Sequence, residues 1–315
     1  MLLPLTLALR NVAKSFGTTT VFHQLNLEIP QGALHGIIGP NGTGKTTFFR
    51  LLLGLLPSDA GTITWKGTPL TARSLNMAYV PEERGLYPHM SVRQQLRWFG
   101  RLAGLHSRDA ATNADQWLER LELGPYAATA ASDLSKGNAR KVQLAIGLLT
   151  KPDLIILDEP FDGMDPANIH LVQTLLKTLH TEGVTILLSS HSLDFMDHFC
   201  DSFTMLHQGS AALHGPLSEL RRTLPWQRLT VRFRTPDATE RLRTWTLPTG
   251  LIPLEAPDAY TALYQVPADV AEALSLERLW ELGPVATVSL DSPSLTDIYW
   301  HVYESAHSRL QSEVS

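Results

Sequence analysis

Through about residue 220 the chain alternates short apolar runs with longer stretches in which apolar residues recur every three or four positions. The runs lie at 34–38, 77–80, 154–157 and 184–189, and three of them are apolar almost without a break. Unbroken runs of this length predict strands covered on both faces, because a half-exposed strand alternates. Helical spacing predicts helices over 45–54, 92–103, 109–121, 139–150 and 166–180. Strand followed by helix, repeated, predicts an α/β fold with a mainly parallel core sheet, since parallel neighbours need long crossovers. The stretch 93–134 holds helical spacing and no clear strand, so a helical sub-region of about 91–134 is expected as an insertion. The apolar start, Met1–Leu9, has no basic residue before it and no small-residue cleavage site. It reads as the lead into an edge strand over 5–10, not as a leader peptide.

The pattern changes after Gly215. A short helix over 217–223 gives way to Leu224-Pro225-Trp226, which breaks the spacing. There follow a strand (228–234), a helix (238–245), a Pro/Gly-rich turn, a strand (259–266), a helix (270–281), a strand (285–290) and a helix (295–307). This order predicts a small α+β domain, with the domains at 1–223 and 224–315. In the last helix Leu295, Ile298, Tyr299, Val302, Tyr303 and Ala306 repeat at helical spacing. A packing face inside the small domain is the expected reading; a dimer contact is the alternative.

Composition alters this picture in a few places. The 315 residues suit one large and one small domain. Charged residues make up 18%, below the usual ~25%, which leaves room for an interface of low polarity. Net charge is −5 and no long basic run occurs, so no nucleic-acid partner is expected. Arg221, Arg222, Arg228, Arg232 and Arg234 are interleaved with apolar residues and read as a solvated face of the small sheet. The single cysteine, Cys200, excludes an internal disulfide and reads as a small core residue. No histidine or cysteine spacing suggests zinc. No stretch approaches the ~20 apolar residues of a membrane-spanning helix, so direct insertion is not expected.

The strongest chemical signal is Gly39-Pro40-Asn41-Gly42-Thr43-Gly44-Lys45-Thr46-Thr47. It follows a predicted strand and opens a predicted helix, the context a phosphate loop requires. Glycines let backbone N–H groups converge on phosphate oxygens, Lys45 brings charge to the β- and γ-phosphates, and Thr46 offers a hydroxyl to Mg²⁺. The bland alternative is a chance Gly-rich turn, disfavoured because every fixed position is filled in that context. The second signal is the apolar run 154–157 ending in Asp158-Glu159. At the carboxyl end of a buried strand, Asp158 would hold Mg²⁺ and Glu159 would act as general base on the attacking water. Alone, such a run is common; downstream of a phosphate loop it gains weight.

Between them lies Asp133-Leu134-Ser135-Lys136-Gly137-Asn138, which closely resembles the LSGGQ signature of ATP-binding cassette (ABC) ATPases. The resemblance covers about residues 5–220. It implies a P-loop cassette with antiparallel N-terminal strands beside the core sheet. Phe16 matches the aromatic position that stacks on adenine, Glu82 the usual Q-loop glutamine, Asp165 the D-loop and His191 the switch histidine. The family implies a head-to-tail dimer, a homodimer here. Each ATP would lie between one copy's phosphate loop and Ser135, Lys136, Gly137, Asn138 and Asp165 of the other. Glu82, with Glu83 as the weaker substitute, would be a Mg²⁺-linked coupling residue. Lys136, where the family has glycine, either adds charge toward the partner's γ-phosphate or points into solvent, the latter favoured.

Both departures are similar to cassettes of multidrug, antibiotic-resistance and sodium exporters, as is Pro293-Ser294-Leu295-Thr296-Asp297-Ile298-Tyr299 near the end. The resemblance therefore implies a cytoplasmic, peripheral ATPase subunit serving a separate membrane-spanning permease. The alternatives are a soluble, non-transport ABC ATPase, and a cassette whose small domain binds a regulator or cargo.

Overall fold

The computed structural model describes residues 5–71, 75–83, 85–244, 251–267, 270, 280–281 and 283–313. The chain divides into two compact units, Met1–Pro216 and Leu217–Ser315. The short helix expected at 217–223 thus falls with the second unit rather than the first.

In the first unit an antiparallel sheet runs in the order β2 (Thr19–Pro30), β1 (Leu5–Phe16), β4 (Ala60–Trp65), β5 (Thr68–Pro69). The expected edge strand over 5–10 is therefore an interior strand, and it continues to Phe16. A bulge explains the misreading. Asn11 sits at φ 50, and the register slips between Leu9 and Val12. The inward-facing parity switches from Leu7 and Leu9 to Val12, all fully buried. A one-residue slip moves side chains to the opposite face, so the alternation breaks off in the sequence at Arg10.

The central sheet runs β10 (Ser210–Pro216), β9 (Ser202–His207), β3 (Leu34–Ile38), β8 (Thr185–Ser189), β7 (Leu154–Asp158), β6 (Met77–Val80). All its pairs are parallel except β9 with β10. Every residue of β3, β7 and β8 is buried, which accounts for their mostly apolar sequences. The register sets Val80 beside Leu157, Asp158 beside Ser189, and Ile37 beside Ser189. The carboxyl ends of β3, β6, β7 and β8 therefore meet along one rim of the sheet.

Helix α1 (Lys45–Leu52) buries Phe48, Phe49, Leu51 and Leu52 against Leu7, Leu9, Phe22, Ile37, Ile156 and Leu187. Each buried side chain of this size contributes roughly 1.5–3 kcal/mol. This core fastens the helix behind the loop Gly39–Gly44. Helices α2 (Val92–Leu102) and α3 (Ser107–Arg120) pack together within the helical stretch. Helix α2 starts with a capping box in which Ser91 and Gln94 satisfy each other's backbone N–H.

Helix α4 (Lys136–Leu148) begins three positions before the expected 139, because Ser135 caps it by accepting from the Asn138 N–H at 3.2 Å. Lys136, Gly137 and Asn138 thus form its first turn. Helices α5 (Pro166–Thr181) and α6 (Leu193–Phe199) complete the unit, and Asp165 caps α5. Cys200 is buried and its thiol is pushed up by burial, as a core residue's would be.

The second unit contains α7 (Leu217–Arg221), β11 (Trp226–Phe233), α8 (Pro236–Thr244), β12 (Ile252–Leu254), β13 (Thr261–Pro267), β14 (Val285–Asp291) and α9 (Leu295–Glu313). Its sheet is antiparallel, ordered β12-β13-β11-β14. Strand β12 lies in the segment read as a Pro/Gly-rich turn. The expected helix 270–281 falls largely outside the described residues. Leu295 and Ile298 are fully buried, Tyr299 stacks on Tyr303, and Ala306 lies outside the residues whose side chains are described. Ser294 and Asp297 explain the closing motif. The Ser294 N–H and hydroxyl donate to Asp297 Oδ2, and the Asp297 N–H donates to Ser294 Oγ. Arg228, read as part of a solvated face, is instead half-buried and lies 3.5 Å from Asp297.

Candidate functional site

The loop after β3 turns on glycine. Gly44, the cap of α1, has φ 99, and a β-carbon there would lie 2.6 Å from Val21 and 2.9 Å from Phe22. No other residue fits without moving β2. Gly42 has φ 81, and a β-carbon on it would meet no protein atom within 4 Å. The left-handed backbone, and not crowding, is what favours glycine there. Lys45 Nζ donates to the carbonyls of Gly39 at 2.7 Å and Pro40 at 3.2 Å, and Thr43 Oγ1 donates to Pro40 at 2.8 Å.

A cavity of about 250 Å³ opens at this loop. Its lining brings together Asn41, Gly42, Gly44, Lys45, Thr46 and Thr47 with Glu82, Asp158, Glu159 and His191. These residues are far apart in sequence, and they meet because β3, β6, β7 and β8 end along one rim. Asp158 Oδ1 accepts from the Ser189 hydroxyl at 2.6 Å, and Ser189 Oγ accepts from the Glu159 N–H at 3.2 Å. Glu159 stands in left-handed backbone at φ 49, a conformation that costs a non-glycine residue about 1–3 kcal/mol. Its Oε2 accepts from the His191 N–H at 3.2 Å. Its Oε1 is buried without a hydrogen bond, 3.3 Å from His191 Nε2.

Burial dominates the electrostatics. It raises the Glu159 carboxyl above the ordinary range, against the pull of His191. It lowers the Lys45 ammonium, while Glu159, Asp158 and Glu82 oppose that shift.

Arg140 and Ser189 escaped the sequence reading. Arg140 is buried in α4, and its guanidinium donates to the carbonyls of Pro81, Glu82, Asp158 and Glu159. One fork of donors thus ties the ends of β6 and β7, which carry three carboxylates of the cavity. Gln143 adds a bond to the Glu83 carbonyl at 2.8 Å. The available signal was a charged pair, Arg140-Lys141, within an otherwise core-facing helix.

Other expected residues lie elsewhere. Phe16 is half-exposed at the end of β1, with Lys14 Nζ 5.5 Å from its ring, and it does not line the cavity. Ser135, Lys136, Gly137, Asn138 and Asp165 do not line it either. Lys136 stays exposed, and its Nζ donates to Asp162 Oδ2 of its own chain at 2.6 Å.

A glycine loop joining a buried parallel strand to a helix, with carboxylates on the neighbouring strand ends, defines a nucleotide-binding α/β protein of the P-loop class. Residues 22–162 match the family described as ABC transporter. The ABC transporter ATP-binding protein YhaQ of Bacillus subtilis is 36% identical over 294 residues, 93% of this chain and 97% of that protein. Nod factor export ATP-binding protein I of Cupriavidus metallidurans is 38% identical over 218 residues, 68% of this chain and 72% of that protein. A solved ATP-binding subunit of an ABC transporter has the same fold, with a TM-score of 0.64 at 29% identity over 69% of this chain and 92% of that one. This chain belongs to the ABC transporter family of ATP-binding proteins. The likeness to YhaQ is long enough to run into the second unit. Among the described residues no helix is long and apolar enough to cross a membrane.

Proposed function

We propose that the chain hydrolyses ATP as one half of a head-to-tail homodimer and drives export through a separate membrane-spanning permease, from the cytoplasmic side. The observation that carries this reading is the convergence of Lys45, Thr46, Glu82, Asp158, Glu159 and His191 on one cavity. Phosphate oxygens would accept from the amides of 42–47 and from Lys45, at the positive end of α1. Thr46, Asp158 and Glu82 line the cavity and offer a hydroxyl and carboxylates, the oxygen ligands that Mg²⁺ prefers. No group of three or more His, Cys, Asp or Glu forms a metal cage among the described residues. Mg²⁺ shared with phosphates needs only one or two carboxylates, so Asp158 and Glu82 with Thr46 suffice. When bound, Mg²⁺ would neutralise charge on the β- and γ-phosphates.

Glu159 would orient a water and take its proton as the water oxygen bonds to the γ-phosphorus and the β–γ bridging bond breaks. Burial makes its carboxylate more basic than an exposed one, which suits that task. His191, in contact with Glu159, would hold the γ-phosphate.

Ser135, Gly137, Asn138 and Asp165 stand outside the cavity of their own chain, which favours a role across the dimer. Phe16, half-exposed, would stack on adenine at the cavity's edge. Beside the Glu82 loop, Tyr87, Trp98 and Phe99 pack ring against ring at 4.9–5.9 Å while Tyr87 and Trp98 stay exposed. An exposed aromatic cluster suits docking to a permease. Export is favoured by the relatives named Nod factor export ATP-binding protein I.

The test is phosphate release by the purified chain with and without Mg²⁺. Hydrolysis that needs Mg²⁺ and disappears in Lys45→Ala supports the reading. Equal hydrolysis by Lys45→Ala or Glu159→Gln contradicts it.

A further inference from the structure

We propose that Lys136 and Asp162 form a clasp that fastens the loop after Glu159 to the start of α4, so that the base-bearing segment and the surface offered to a second copy move as one body. Lys136 is in this view a positioning residue acting through Asp162. The proposal rests on the reading of the chain as a dimeric ATPase.

Contacts run in series along one face of α4. Arg140 holds the carbonyls of Asp158 and Glu159. One turn earlier, Lys136 Nζ donates to Asp162 Oδ2 at 2.6 Å. The aliphatic stem of Lys136 lies across Gly163, where a β-carbon would run into three of its carbons. Gly163 also has φ 71, so a bare α-carbon suits both the turn and the lysine above it. Gly137 faces the same loop: a β-carbon there would lie 3.5 Å from Met164 Cα and 3.6 Å from the Gly163 carbonyl. The hydrogen bond from Lys136 also holds the Asp162 carboxyl below the ordinary carboxylate range.

Within the loop, the backbone bonds are two turns, Asp162 N–H to Glu159 O at 3.3 Å and Met164 N–H to Phe161 O at 3.2 Å. Lys136 is thus the side chain that carries α4 onto this loop beyond Arg140's reach. Its ammonium is balanced by a carboxylate of its own chain, so little net charge is left to offer a partner's phosphate. Both side chains are about half exposed, at 54% and 55%. An ion pair in such a setting changes an equilibrium about two- to fivefold, enough to set the poise of a loop and too little to hold the fold.

A double-mutant cycle separates the two roles open to the lysine. The variants are Lys136→Ala, Asp162→Ala, both together, and the exchange Lys136→Asp with Asp162→Lys. The readouts are kcat, KM for ATP, and hydrogen exchange of the 161–165 amides. The clasp predicts that each single change lowers kcat about two- to fivefold with KM unmoved. The double variant should be no worse than either single, the charge-swapped pair should recover activity, and the 161–165 amides should exchange faster in both singles. If Asp162→Ala leaves kcat and the 161–165 amides as in wild type while Lys136→Ala lowers kcat, the lysine acts directly on the partner's nucleotide and the clasp is overturned. Independent, additive losses overturn it too. Should the wild-type chain not hydrolyse ATP at all, the ATPase reading fails, and the exchange measurement still decides whether the clasp exists.

Discussion

Two helices of the first unit start on short loops and meet the same problem, four backbone N–H groups with no partner inside the helix. Helix α1 leaves it open. Its cap is Gly44 in left-handed backbone, no side chain caps it, and Gly44 to Thr47 line the cavity. Helix α4 closes it. The Ser135 hydroxyl accepts from Asn138, and Lys136 is tied to Asp162. The open end is surrounded by groups that can attend a phosphate of the same chain: Lys45, Thr46, Asp158 and Glu159. The closed end has none of these and faces outward from that cavity. On the proposed reading one terminus binds the nucleotide of its own chain, and the other is a capped surface that serves the nucleotide of another copy.

The sharpest way to break this comparison is at the carboxylate beside the open end. Glu159→Gln should lower kcat by about 10²–10⁴ while ATP still binds, read by single-turnover phosphate release and nucleotide binding. Comparable losses of kcat and binding would make Glu159 a ligand-holding residue and not a base. Next comes the brace shared by the two ends. Arg140→Met strands several buried carbonyls and should cost about 3 kcal/mol, a fall in Tm of roughly 6–12 °C. An unchanged melting curve would remove Arg140 as the link between the strand ends and α4.

Acid should weaken the sheet behind the open end. His35, on β3, is fully buried, with its ring nitrogens 2.7 Å from the Ser202 and Thr204 hydroxyls, and Thr204 bonded on to His214. Burial, with His214 nearby, holds its pKa well below 6.5. The His214 pKa is also lowered by burial. The unfolded chain therefore binds protons that the folded chain refuses. The stability is fully present above about pH 6.5 and is lost as pH falls below it, at up to about 1.4 kcal/mol per pH unit for each such histidine. Urea melts between pH 7.5 and 5 should show this loss, and His35→Gln should flatten it.

The smallest effect concerns the closed end. Ser135→Ala removes the cap of α4 and should cost about 1 kcal/mol, measured in the same urea melts.

The parts that the sequence displays best are those built from neighbours along the chain. β3, its glycine loop and α1 form one continuous segment, and the steric demands on it are met locally by Gly42, Gly44 and Lys45. The carboxylates Asp158 and Glu159 were legible because they close the unbroken apolar run 154–157. Elsewhere the signal depends on partners distant in sequence. The bulge at Asn11 hides the length of β1, since only its pairing with β2 and β4 reveals the slip. The early start of α4 was missed because lysine, glycine and asparagine carry no helical pattern, and the deciding feature is the Ser135 hydroxyl. Arg140 looked like an ordinary helix residue. Its role exists only when β6 and β7 lie side by side beneath it, and Ser189 joins Asp158 and Glu159 only through the register of β7 with β8.

The central claim is that the open end of one copy and the closed end of another enclose the same ATP. Sedimentation of Glu159→Gln with saturating ATP and Mg²⁺ tests it most directly. The account predicts a dimer holding two nucleotides, and a monomer when Ser135→Glu is added, because a second negative charge would then face the γ-phosphate. A Glu159→Gln chain that binds ATP fully yet stays monomeric, or a Ser135→Glu chain that still dimerises, would contradict it.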